Sequence, residues 1–280
     1  MAPTSSPGPH APTRRRSPLR TVLLVLAGLV ALVLVAVLAL VGYVALRPLK
    51  PADYSLANNE VGYLGQQIDF VGQSVAKATT DLGSGDQAVI EASAQAVRDQ
   101  VGVAADQAAA LSDLRAVDDP EVATQVGAVQ QGVTDMQTYL RGFADAMLPT
   151  AETIAACDTW AEDEDTAVDS GATRAEVEAA AEPCRQMAGA LQQQGGGAWS
   201  QLAGAQLARV DGVLAVFELV ESDPDDFEAH YAAEAAARED YQAAVGEADA
   251  ALAQELEAVG SAVTDPLNSL GRYTQERAGG

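Results

Sequence analysis

Val61, Leu64, Ile68, Val71, Val75, Ala78 and Leu82 recur at alternating steps of three and four residues, the spacing of an apolar seam on a helix packed against other helices. Ile90, Ala94, Val97, Val101, Ala104, Ala108 and Leu111 repeat the pattern, and Val122, Val126, Val129, Val133, Met136, Leu140, Phe143, Met147, Thr150, Ile154 and Cys157 carry it through a longer stretch. A fourth seam follows in Val177, Ala180, Cys184, Met187 and Leu191. No period-two alternation competes, so the fold class is all-α. The outer part, 54–280, is expected to be an antiparallel up-down bundle of four or five long helices.

Helix punctuation supports this division. Asp119 before Pro120, Asp223 before Pro224 and Asp265 before Pro266 each place a capping side chain ahead of a proline at the first helical position, where the missing N–H costs nothing. Thr173 with Glu176 reads as a capping box and Ser84 with Gln87 as a weaker one. Helices are expected over about 54–82, 86–117, 120–160, 173–221 and 224–263, with a short sixth over 266–277. The links between them are short, which makes neighbours antiparallel. Three consecutive glycines in "QQQGGGAWSQ", 192–201, should kink or break the fourth helix, since each costs roughly 1 kcal/mol relative to Ala. Pro149 and Pro183 should bend theirs.

Residues 21–46, "TVLLVLAGLVALVLVAVLALVGYVAL", contain no charged residue, and roughly 20 apolar residues suffice to cross a bilayer as a helix. The run is longer than the h-region of a cleavable signal peptide and no convincing cleavage site follows it. It is expected to be an uncleaved signal anchor. Arg14, Arg15, Arg16 and Arg20 precede it and no acidic residue does, so the proline-rich tail 1–20 should stay cytoplasmic and disordered, its arginines touching anionic lipid. Residues 47–53 form a juxtamembrane linker, and all that follows should lie outside the cell membrane.

All 40 acidic residues come after residue 46, while four of the 16 basic ones sit in the tail. An exterior this acidic excludes nucleic acid as its partner, because phosphate recognition needs Lys and Arg. Cores built of Val, Ala and Met bury little area per position, so stability should come from helix length, from a covalent staple, or from a second copy packing along the seams. A homo-oligomer is therefore one expectation for this chain.

Outside the cytoplasm, thiols are oxidised, and this chain has two cysteines. Cys157 and Cys184 each fall on a seam and lie nearly equidistant from the middle of the intervening link, so an antiparallel hairpin brings them level. A disulfide is expected, contributing about 3.5 kcal/mol by chain entropy. Redox and zinc alternatives fare worse: the acidic surroundings do not stabilise a thiolate, and ligands beyond the two sulfurs are lacking.

His10 and His230 are the only histidines. No G-x-S-x-G elbow, paired E-x-x-H motif, P-loop or dinucleotide fingerprint appears, and no enzymatic activity or cofactor is expected. The acidic stretch Glu162, Asp163, Glu164, Asp165 and Asp169 lacks the ligand spacing of a calcium loop. It is expected to be a solvated loop at the end of the bundle far from the membrane, available to a partner or cation, with "ESDPDDFE", 221–228, at the opposite end. The expectation is a non-enzymatic single-pass envelope protein whose helical bundle binds or organises a protein partner. The alternative is a ligand-binding accessory or sensor module acting through a partner, its pocket at the Gly195–Trp199 interruption near Arg209.

Overall fold

The computed structural model describes residues 48–170 and 173–279, and of 162–170 the backbone alone. Among the described residues there are six α-helices, two short 3-10 turns and no strand. The helices are α1 Pro51–Leu82, α2 Gln87–Ala110, α3 Pro120–Ser170, α4 Arg174–Gln194, α5 Gly197–Ser222 and α6 Phe227–Gly279. The expected membrane segment 21–46 and the topology-setting Arg14, Arg15, Arg16 and Arg20 lie outside the described residues. Among those described, no helix is long and apolar enough to cross a membrane.

The first three seams run along the buried faces of α1, α2 and α3, with Leu64, Val97, Val101, Val129 and Met147 wholly enclosed. In α4 the inward row differs from expectation: Ala181 and Ala188 are buried, whereas Ala180 faces solvent and Met187 is half-buried. Small residues at these places let α4 lie close against its neighbours.

Neighbouring helices reverse direction throughout. α1 and α2 form one hairpin, α4 and α5 another, and neither hairpin touches the other among the described residues. Both pack instead on the long pair α3 and α6, which contact each other. The ring α1–α2–α3–α6 encloses the larger core, and α3, α4 and α5 enclose a second, built on Cys157, Trp160, Val177, Cys184, Val210 and Leu214.

Several boundaries differ from those read in the sequence. α2 stops at Ala110, and Leu111–Asp113 and Arg115–Asp118 continue as 3-10 turns. The Gln130 amide of α3 donates to the Ala108 carbonyl (3.0 Å) and the Ser112 hydroxyl (2.6 Å), taking up the loose end of α2. The cap of α2 is Asp86, whose carboxylate accepts from the N–H groups of Ala88 and Val89; Ser84 accepts from Asp86 N–H instead. α3 runs on past residue 160 to Ser170, because no glycine or proline lies between Thr150 and Gly171 to stop it. The acidic stretch 162–169 is thus helical in its backbone rather than a loop. Thr173 and Glu176 form the expected capping box, and Asp119 accepts from Glu121 N–H at the start of α3.

The expected fourth helix does more than kink. Gly195 ends α4, Gly196 and Gly197 adopt φ of +47° and +53°, and α5 returns alongside α4. Only glycine takes that conformation cheaply. The extra reversal changes the direction of everything after it. Residues 221–228 therefore sit beside the start of α4, where Arg174 N–H donates to Glu221 (3.0 Å), not at the opposite end. We call this end the tip, and the end with Pro51 the base.

α6 starts at Phe227, three residues later than Pro224 implied, with Asp226 accepting from Ala229 N–H. It then passes through Pro266, so the expected 224–263 and 266–277 are one helix of 53 residues. Pro266 has no N–H for the carbonyl of Ala262. That carbonyl turns to Gly132 of α3, lying 2.3 Å from where a Cβ would stand. The proline is accommodated because a glycine faces the carbonyl it releases.

At the base, one carboxylate joins three helices. Asp119 accepts from Tyr54 of α1 (2.8 Å) and Tyr273 of α6 (3.0 Å), and Arg277 donates to the Tyr273 oxygen (2.9 Å). Burial pushes the Tyr54 phenol up to about 12, reinforced by its bond to Asp119 and that residue's charge. Burial also raises the Asp119 carboxyl, but bonds from Tyr54, Glu121 N–H and Tyr273, with the charge of Arg277, outweigh it and hold it below the usual range.

Two outcomes are expected. Gly132→Ala should lower the unfolding free energy despite the better helix propensity of alanine, whereas Gly127→Ala, with open space around its Cβ, should hold it or raise it by up to ~1 kcal/mol, as read by denaturant unfolding. Tyr54 contributes stability that is complete below pH 10 and drains away as pH rises to about 12. Asp119 contributes stability present above an unfolded pKa of ~3.9 and lost as pH falls. Chemical denaturation of Tyr54→Phe and Asp119→Asn across pH should flatten the alkaline and acid limbs respectively.

Candidate functional site

Two surfaces could meet another molecule. The first is a groove of about 870 Å³ where the α4–α5 reversal crosses α3 and α6, the place singled out in the sequence. α3 supplies Tyr139, Gly142, Phe143 and Pro149, α4 supplies Met187 and Leu191, α5 supplies Trp199 and α6 supplies Glu255. Phe143 and Trp199 pack with ring centroids 5.4 Å apart.

The reversal is held by Glu255. Its two oxygens accept from Ala198 N–H of α5 (3.1 Å) and the Tyr139 hydroxyl of α3 (2.9 Å). A helix start leaves several N–H groups unpaired, and the cap position here is Gly196, which has no side chain to offer. A carboxylate reaching across from α6 takes that role, and at the positive end of the helix dipole it is well placed. A Cβ on Gly197 would lie 2.3 Å from a Glu255 oxygen, so the glycine makes room for its cap. Burial raises the Tyr139 phenol, as do its bond to Glu255 and that residue's charge. No motif marks Glu255 or Tyr139 in the sequence; only the flanking of Glu255 by Leu252 and Leu256, both packed on the core, hinted at its position. Arg209, expected near the pocket, lies elsewhere. It stands over the Tyr241 ring at 5.0 Å from the centroid and 3.8 Å from Asp158.

The second surface is the tip. Phe227 and Tyr231 are 64% and 71% exposed, with Leu219 and Val220 of α5 also open. Glu218, Glu221, Asp223, Asp225, Asp226 and Glu228 surround them in the chain. His230 belongs to this turn as a helix-boundary residue, its Nε2 2.9 Å from the Asp223 carbonyl. The side chains of Glu162, Asp163, Glu164, Asp165 and Asp169 lie outside the described residues. Among those described, no group of three or more His, Cys, Asp and Glu side chains converges as metal ligands.

Cys157 and Cys184 stand with their sulfurs 2.03 Å apart, joining α3 to α4. Both are fully buried beside Trp160. The core seams are filled by the chain's own helices, so a second copy would have to use another face. Leu56, Tyr63 and Phe70, seven residues apart on α1, are about half-exposed.

Compared with protein-family models, curated proteins and solved structures, the chain matches none.

Replacing both cysteines by serine should cost about 3–4 kcal/mol in denaturant unfolding, with hydrogen exchange rising in α4 and α5 while the α1–α2 core stays protected. Glu255→Ala should loosen the first turn of α5 in the same exchange experiment; an unchanged pattern there would refute the capping role.

Proposed function

We propose that this chain is a non-enzymatic, single-pass membrane-anchored protein of the cell envelope whose extracytoplasmic helical bundle binds a protein partner at its tip. The observation that carries this reading is the exposure of Phe227 and Tyr231 together with Leu219 and Val220. Large apolar side chains clustered in the open usually mark a contact surface. The acidic residues around them favour a partner that is basic as well as apolar. The anchor rests on the uncharged run 21–46 and the four arginines before it.

A photoreactive phenylalanine analogue at position 227 or 231 should, in intact cells, capture another protein. The same analogue at exposed Val103 of α2 should not. Absence of any adduct at the tip, or identical adducts from both places, removes the proposal. Neutralising residues 162–165 in the same strain shows whether the acidic end of α3 shares the contact.

A second reading, a ligand-binding accessory module that acts through a partner, is favoured by the groove at Gly195–Gly197. Its volume falls in the range of small-molecule sites, roughly 300–1,000 Å³.

A further inference from the structure

We propose that the outer face of α1 pairs with the same face of a second copy of this chain, as a parallel two-helix seam through Leu56, Tyr63 and Phe70. The parallel register rests on the membrane anchor of the first reading above; the face itself does not.

A second row runs along α1 on the side away from the core. Leu56, Asn59, Tyr63, Gln66, Phe70 and Gln73 follow one another at alternating steps of three and four, the spacing of the a and d positions of a coiled coil. All six are exposed, and no described helix covers them. The next place in the row is Lys77, engaged with Asp81 on its own helix, and the uncharged run ends there. Of the described α1 residues that lie open between Ala52 and Ala76, Asp69 alone is charged. Other faces are acidic: α2 exposes Glu91, Asp99 and Asp106, and α6 exposes Glu239, Asp240 and Glu247. With 40 acidic residues against 12 basic ones after residue 46, two copies repel each other wherever such faces meet. On the face of α1 they can touch without that cost.

The row is also complementary to itself. In a two-fold pair each residue on the axis meets its own counterpart. Amides both donate and accept, so Asn59, Gln66 and Gln73 can bond across to themselves, with Leu56, Tyr63 and Phe70 supplying the apolar contact between them. In a parallel coiled coil the residues just outside the seam of one helix face those of the other. Heptad counting sets half-buried Glu60 across from Ser55 of the second copy and Asp69 across from its Ser74, so no acid opposes an acid. A strip roughly 27 Å long and about 10 Å wide is smaller than the ~800 Å² per partner of a stable free-standing complex. Confinement to one membrane supplies the effective concentration that such a strip needs. Four residues, 47–50, separate the expected anchor from α1, at most ~14 Å of chain, which starts α1 of both copies at the same level and in the same direction.

The test is copper-phenanthroline crosslinking of the full chain in intact cells, one new cysteine at a time, followed by membrane fractionation. Asn59→Cys, Gln66→Cys and Gln73→Cys should each give a disulfide-linked dimer, about tenfold or more above that from Gln131→Cys on the exposed side of α3. Adding Tyr63→Glu and Phe70→Glu to Gln66→Cys should remove the dimer, with an unchanged melting temperature of the purified chain showing that it is folded. Crosslinking at Gln66→Cys alone, in the middle of the row, is the mark of an antiparallel pair and overturns the parallel seam. Dimers no stronger than those from Gln131→Cys, dimers that survive the two glutamates in the folded chain, or adducts with a different protein in place of the dimer overturn the pairing. Dimers at all three places in a chain absent from the membrane fraction overturn the anchor and leave the pairing. A membrane-bound chain without dimers overturns the pairing and leaves the anchor.

Discussion

The bond from Ala198 N–H to Glu255 fixes the point at which α4 gives way to α5, and most of the architecture depends on that point. Three glycines without a cap would leave a flexible break. With Glu255 seated against Gly197 the chain turns back on itself, and an even number of helices results among the described residues. The reversal sends α6 down the full length of α3, brings Tyr273 to Asp119 at the base, and places Phe227 and Tyr231 at the tip. It also forms one wall of the groove. One carboxylate on α6 thereby sets the course of the chain after residue 197.

Features governed by local spacing were legible in the sequence, and those governed by contacts between distant segments were not. The seams of α1, α2 and α3 could be read because burial repeats with the helical period, and the Thr173–Glu176 box because both partners lie within one turn. Cys157 and Cys184 could be paired because only an intervening link and two registers were involved. Whether Gly195–Gly197 would bend or reverse depended on Glu255, some sixty residues away. Pro266 read as a helix start because its tolerance depends on Gly132 in another helix. The groove's location followed from the glycines, but its acid and its phenol did not, since Glu255 and Tyr139 are ordinary residues of their helices until the fold brings them together. Residues 221–228 were expected at the wrong end, and the last helix with the wrong direction, for the same reason: a single reversal inverts every later direction.

Small residues shape this bundle as much as large ones. Gly132 against Ala262 and Gly212 against Ala237 bring α6 close to α3 and α5, and Ala181 and Ala188 do likewise for α4. Close approach recovers by backbone proximity and dispersion what a core poor in Leu and Phe lacks in buried area. The specific polar ties, Asp119 with two tyrosines and Glu255 with a third, then hold the helices at those distances.

The contact pattern also suggests how such a chain can be parsed. α3 reaches the tip and α6 departs from it, while α4 and α5 leave and return there without meeting α1 or α2. Excise that excursion, and a direct α3-to-α6 turn would restore a plain four-helix up-down topology. The glycine reversal and much of the groove wall belong to the inserted hairpin, and the disulfide ties it to α3. Its architecture is thus that of a simple bundle with a covalently pinned cassette grafted into one of its turns.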